Sequence, residues 1–111
     1  MLKPVTLTSK LEIQKLFQRG RRTTQFPLTI VYRKNNHSFN RYLFCADRSC
    51  RKAVSRNKVK RLLRVLSREA SEQIGVFFDI ALIANVKLIE YTHEQRKKAY
   101  QRLLQQMIHD K

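Results

Sequence analysis

The sequence predicts one small α+β domain, a mixed sheet packed with helices, in the order α-β-β-β-α-β-α. Three observations lead there. Three stretches carry apolar residues at helical spacing, short β-branched or apolar runs of strand length lie between them, and 111 residues with only two Gly and two Pro suffice for one core. The domain is expected to span 1–111, with its ends, 1–8 and 109–111, loose. No repeat, linker or low-complexity segment divides it.

The first helix is expected over 10–19. Ser9-Lys10-Leu11-Glu12 has the form of a capping box, in which Ser accepts from the third helical amide and Glu reaches back. Ile13, Leu16 and Phe17 make one apolar face, and Gly20 supplies a left-handed terminator. Residues 21–24 form a short strand. Leu28, Ile30 and Tyr32 then alternate with Thr29, Val31 and Arg33, and Pro27 places the start of this strand near a sheet edge. The polar turn 34–38 leads to a strand over 41–46, antiparallel to the last. Residues 53 to about 71 contain no Gly or Pro, and Val54, Val59, Leu62, Leu63 and Leu66 form an apolar stripe, so a long helix follows. Gly75 ends it. Residues 76–84 are apolar, β-branched and aromatic apart from Asp79, the pattern of a central strand. Thr92-His93-Glu94-Gln95 is a second capping box, and Ala99, Tyr100, Leu103, Leu104 and Met107 line a last helix ending near 108.

Charge narrows the function. Twenty-four Lys and Arg against eight Asp and Glu give a net charge of +16, which calls for a polyanionic partner. Between Asp47 and Glu69 there is no acid, while Arg48, Arg51, Lys52, Arg56, Lys58, Lys60, Arg61, Arg64 and Arg68 all fall there. Arg56, Lys60 and Arg64 recur every four residues, and Asn57, Arg61 and Arg68 widen the same face. A solvated helix mixes signs; one with cations alone suits a phosphate backbone, with Arg forks on phosphate oxygens and Asn57 at a sugar or base edge.

Other classes fit less well. No apolar run approaches the length of a membrane span, and Leu62, Leu63 and Leu66 are needed for the core, which argues against a membrane-surface helix. No signal core opens the chain, so a cytoplasmic location is expected, with Cys45 and Cys50 reduced. A helix-turn-helix reader of DNA needs two adjacent helices, and this helix lies between strands. RNA suits better, with Phe17, Phe26, Phe39 and Tyr32 as candidate stacking rings. A protein nuclease would need paired titrating groups or clustered carboxylates. His37, His93 and His109 read as surface residues, Asp47 and Asp79 as charge balance should their strands adjoin, and Cys45 and Cys50 lack zinc spacing. No catalytic residue and no metal site is expected in the chain.

The segment Ala53-Val54-Ser55-Arg56-Asn57-Lys58-Val59-Lys60-Arg61-Leu62-Leu63-Arg64 resembles the signature helix of the bacterial ribonuclease P protein component, A-V-x-R-N-R-[IV]-K-R-[LI]-[LI]-R, at ten positions. Phe17 and Gly20 at the end of the first helix, Phe26 opening a strand, the basic loop before the signature helix and the run 79–84 extend the likeness from about 7 to 108. The resemblance implies a left-handed crossover around the signature helix and a subunit of a tRNA-maturing endoribonuclease. In such an enzyme the RNA subunit cleaves, and holds most of the Mg²⁺, while the protein binds that RNA and the 5′ leader of precursor tRNA. No membrane and no protein partner is required. By position, Arg56, Asn57, Lys60, Arg61 and Arg64 become RNA-binding residues, and Phe17 and Phe26 candidates for a leader cleft; by their charge Lys58, Arg68 and the loop residues Arg48, Arg51 and Lys52 join the RNA-binding set. Ile13 and Thr29 stand where the family often has aromatics, Ser49 replaces a Lys, Arg51 a Gly, and Asn85 an Arg. The alternative reading is a basic, ribosome-associated structural protein, since such proteins share this size and charge.

Overall fold

The chain is described from a computed structural model that covers residues 5–69 and 76–109. Eight regular elements follow one another: β1 (Val5–Thr6), α1 (Lys10–Arg19), β2 (Arg21–Gln25), β3 (Leu28–Lys34), β4 (Arg41–Ala46), α2 (Ala53–Glu69), β5 (Phe78–Ala84) and α3 (His93–His109), with a 3-10 turn, Val86–Glu90, before α3. The sheet order is β1-β4-β5-β3-β2. β5 is the central strand, as its run of apolar residues broken only by Asp79 leads one to expect, and Gly75 lies outside the described residues.

Pairing departs from the sequence reading at one point. β3 and β4 do not adjoin: β5 enters between them, antiparallel to β3 and parallel to β4. The turn after β3 therefore spans a strand, and α2 becomes the crossover of a β4-α2-β5 unit. β3 is also not at an edge. Pro27 is tolerated because it lies in the two-residue turn joining β2 to β3, ahead of the ladder, where its carbonyl accepts from Asn85 N–H at 3.0 Å. The segment expected to be loose before α1 is partly tied down. Val5 and Thr6 pair with Arg41 and Tyr42, and Leu7 is buried.

Both faces of the sheet are covered. On one, Leu28, Ile30, Tyr32, Phe44, Ile80 and Leu82 pack against Val59, Leu63 and Leu66 of α2 and Tyr100, Leu103 and Met107 of α3. On the other, Leu7 and Leu16 cover Val31 and Ala81, with Ile13, Leu43 and Ile83 beside them. Tyr32, a candidate stacking ring, belongs to the first core, edge-on to Phe78 at 5.9 Å.

The ends of α1 differ in mechanism from the expectation. Ser9 Oγ does accept from Glu12 N–H, at 3.4 Å, but the Glu12 carboxylate turns to Arg41 instead of reaching back. Gly20 is extended, with φ −71° and ψ 156°. Its lack of a side chain serves close approach: a Cβ there would collide with the Leu16 carbonyl and lie 2.9 Å from Val31 Cγ1. The box before α3 forms in full, Gln95 N–H to Thr92 Oγ1 at 3.2 Å and Thr92 N–H to Gln95 Oε1 at 2.9 Å.

Candidate nucleic-acid interface

Burial sorts the residues of α2 around its axis. Val59, Leu63 and Leu66 face the sheet, each at most 1% exposed. Val54, placed in the same stripe by the sequence, is 78% exposed, because it stands nine residues and so about 180° from Leu63. It shares the outward face with Lys58, Arg61 and Arg68, and Asn57 flanks them. Among the described residues, none of the side chains of Asn57, Lys58, Arg61 and Arg68 has a polar partner within the chain. Four polar groups, three of them cationic, are thus free to meet an anionic surface.

The row Arg56, Lys60, Arg64 is not free in the same way. Arg56 Nη1 donates to the carbonyls of Arg51, at 2.9 Å, and Cys50, at 3.3 Å, so its fork braces the loop before the helix. Arg64 lies over the Phe44 ring, 5.5 Å from its centroid. Lys60 is half-buried, and its charge partly offsets the burial that pushes the Cys45 thiol up. Arg56 and Arg64 thus brace the surface as well as charging it.

The loop 47–52 is also built. Asp47 Oδ1 accepts from Ser49 N–H at 2.9 Å and from its hydroxyl, and Ser49 Oγ accepts from Val86 N–H at 2.8 Å. Arg48, Arg51 and Lys52 project from it, exposed. Asp47 is therefore a turn-forming residue. It does not meet Asp79: β4 and β5 run parallel, with Arg41 opposite Asp79 and Ala46 opposite Ala84, which puts the two carboxylates at opposite ends of the sheet.

Asp79 instead holds a group that sequence reasoning missed. Arg41 Nε and Nη2 donate to its two oxygens, each at 2.7 Å, Asn35 Nδ2 adds a bond of 3.0 Å, and Arg41 Nη1 meets Glu12 at 2.5 Å. The Arg41 guanidinium is held above the ordinary arginine range, chiefly by the Asp79 bonds and against its own burial. This network pins α1 to β4 and β5. The visible signal was the lone Asp in an apolar strand; its partners come from distant segments.

α1 divides its face of the sheet. Ile13 packs with Leu43 and Ile83, and Phe17 follows it one turn later on the same side of the helix, while Glu12 and Lys15 border the end holding Arg33, Arg41 and Asp79. Phe17 is 40% and Phe26 57% exposed; Phe26 sits in the β2–β3 turn and not in a strand, and Thr24 and Thr29 share a hydroxyl bond of 3.1 Å across β2 and β3. Two large exposed rings and two small hydroxyl side chains thus mark this part of the chain.

No group of three or more His, Cys, Asp or Glu among the described residues is arranged to hold a metal ion. Glu12 and Asp79 are taken by Arg41, and Asp47 by Ser49. Among the described residues, the donor set does not fit a resident Mg²⁺.

Fold and surface together define a small basic α+β protein whose longest basic run, from Arg48 to Arg68, contains no acid and lies mostly on one helix. Comparison with known proteins gives the family. The sequence matches the Ribonuclease P family over residues 1–108, and the chain belongs to that family. It is 28% identical over 102 residues to the ribonuclease P protein component of Thermoanaerobacter sp. strain X514, covering 92% of this chain and 88% of the relative. With the ribonuclease P protein component of Syntrophomonas wolfei it shares 31% over 98 residues, 88% of this chain and 82% of the other. The fold is that of the RNase P protein from Thermotoga maritima, with TM-score 0.77 at 23% identity over 89% of this chain and 94% of that one. The RNase P protein of Staphylococcus aureus gives 0.76 at 20% identity, over 93% and 94%.

Proposed function

We propose that this chain is the protein subunit of a ribonuclease P holoenzyme that removes the 5′ leader of precursor tRNA. α2 docks on the catalytic RNA through Asn57, Lys58, Arg61 and Arg68, with Arg48, Arg51 and Lys52 extending the contact, while Arg56, Lys60 and Arg64 add charge and Arg56 and Arg64 also brace the surface. The leader lies on the sheet face beside Phe17, with Phe26 at its edge. Cleavage belongs to the RNA subunit, which also holds the Mg²⁺; the protein offsets phosphate repulsion between leader and catalytic RNA. The assembly works in the cytoplasm and needs no membrane and no further protein.

The observation that carries this reading is the run of free outward cations on α2, with no acid before its last residue, in a chain of this family. The test is cleavage of precursor tRNA by the catalytic RNA at low Mg²⁺, with and without the protein. Stimulation is expected; its absence would overturn the assignment. Cleavage by the protein alone would overturn the division of labour.

A further inference from the structure

The flank of α1 away from Phe17 holds a cleft of about 250 Å³ that the proposed leader path does not use. It is lined by Lys15 of α1, Arg33 and Lys34 at the end of β3, and the loop through Asn36 and His37, above the Arg41–Asp79 pair. Its four cationic side chains outnumber its two carboxylates, and both carboxylates are already bound by Arg41. Lys15, Arg33 and Lys34 are exposed and, among the described residues, have no anionic partner. The site is open and cationic.

A second, independent feature stands beside it. The His37 and Phe39 rings stack on each other at 5.1 Å and 29°, although both residues are exposed. Phe39 is 40% exposed, so this pair is an outlying platform and not part of either core. Cations that take phosphates beside an aromatic face that takes a base are the two components of single-strand recognition.

We infer that this flank is a second single-stranded RNA site, with Lys15, Arg33 and Lys34 on phosphates and the His37–Phe39 platform under a base, occupied by an unpaired segment of the RNA subunit. The inference rests on the docking function proposed above. The leader is not the occupant, because Lys15 and Phe17 lie about 200° apart around α1, and a strand beside Phe17 would have to climb over a helix roughly 10 Å across. Charge complementarity calls for a nucleic acid, and with the leader excluded by geometry the RNA subunit is the occupant.

The test measures the affinity of the full chain for the RNA subunit across a salt series. For the variant K15A/R33A/K34A the magnitude of the logarithmic salt slope is expected to fall by up to about 2, at about 0.7 per single-strand contact. Phe39→Ala is expected to weaken binding about fivefold or more with the slope unchanged, as loss of a base stack does. p-Benzoylphenylalanine in place of Phe39 is expected to crosslink to the RNA subunit in the holoenzyme. Arg61→Ala serves as the control. If it weakens binding while both flank variants leave affinity and slope untouched, the second site is overturned and the docking function stands; if none has an effect, both fall. A crosslink to the leader would overturn the assigned occupant.

Discussion

Arg41 and Asp79 face each other across the parallel β4–β5 pair and are joined by two hydrogen bonds of 2.7 Å, with side chains only 16% and 12% exposed. Breaking such a pair strands a charge in a poorly hydrated place, whereas replacing both members removes the requirement. Asp79→Ala is therefore expected to destabilise the domain by about 3 kcal/mol, read by urea unfolding. The double variant R41M/D79L should recover most of that loss. A double variant as unstable as the single one would mean that the pair contributes more than mutual neutralisation.

The RNA surface predicts a contrast within α2. Lys58→Ala and Arg61→Ala remove free outward cations, and each is expected to reduce the magnitude of the salt slope for RNA binding by about 0.7 to 0.9. Arg56→Lys keeps the charge but cannot bridge the Cys50 and Arg51 carbonyls. It should lower the melting temperature and leave the slope alone. An unchanged melting temperature for Arg56→Lys would mean that the guanidinium does not brace the loop.

Val54 and Leu63 show what the sequence reveals and what it conceals. Both read as stripe residues, but the helical count puts them on opposite sides, and only Leu63 is buried. Leu63→Ala is expected to cost about 2 to 5 kcal/mol, and Val54→Ala to stay within about 0.5 kcal/mol, by thermal or urea unfolding. A large cost at Val54 would contradict the exposed position.

Local signals proved legible: Ser9 and Thr92 start helices where their caps stand, and the apolar run around Ile80 forms the central strand. What depends on distant partners was not. Nothing near Arg41 says that β5 will enter beside it, nothing near Glu12 says that its carboxylate will prefer that arginine to its own helix end, and Arg56 reads as a free cation until its loop folds beneath it. The charge of the surface was therefore legible, and the division between free and committed cations was not.

Alkaline pH gives the last prediction. Burial pushes the Tyr100 hydroxyl well above its ordinary value of 10.0, with the neighbouring Tyr42 adding to the shift, and burial also raises Tyr42 itself. The Cys45 thiol is raised above 9.0 by the same cause. Each group is neutral when protonated, and each holds its proton more tightly in the folded chain than in the unfolded one. Between the unfolded and the folded values the unfolded chain therefore binds fewer protons, and the free energy of unfolding falls as pH rises. The contribution is complete below about pH 9 and is withdrawn as pH climbs through 10 and beyond. Urea unfolding at stepped pH should show this decline, with tyrosinate absorbance rising together with loss of structure. The variant Y42F/Y100F removes two of the three groups and should flatten the decline; a slope unchanged in that variant would assign alkaline unfolding to other groups.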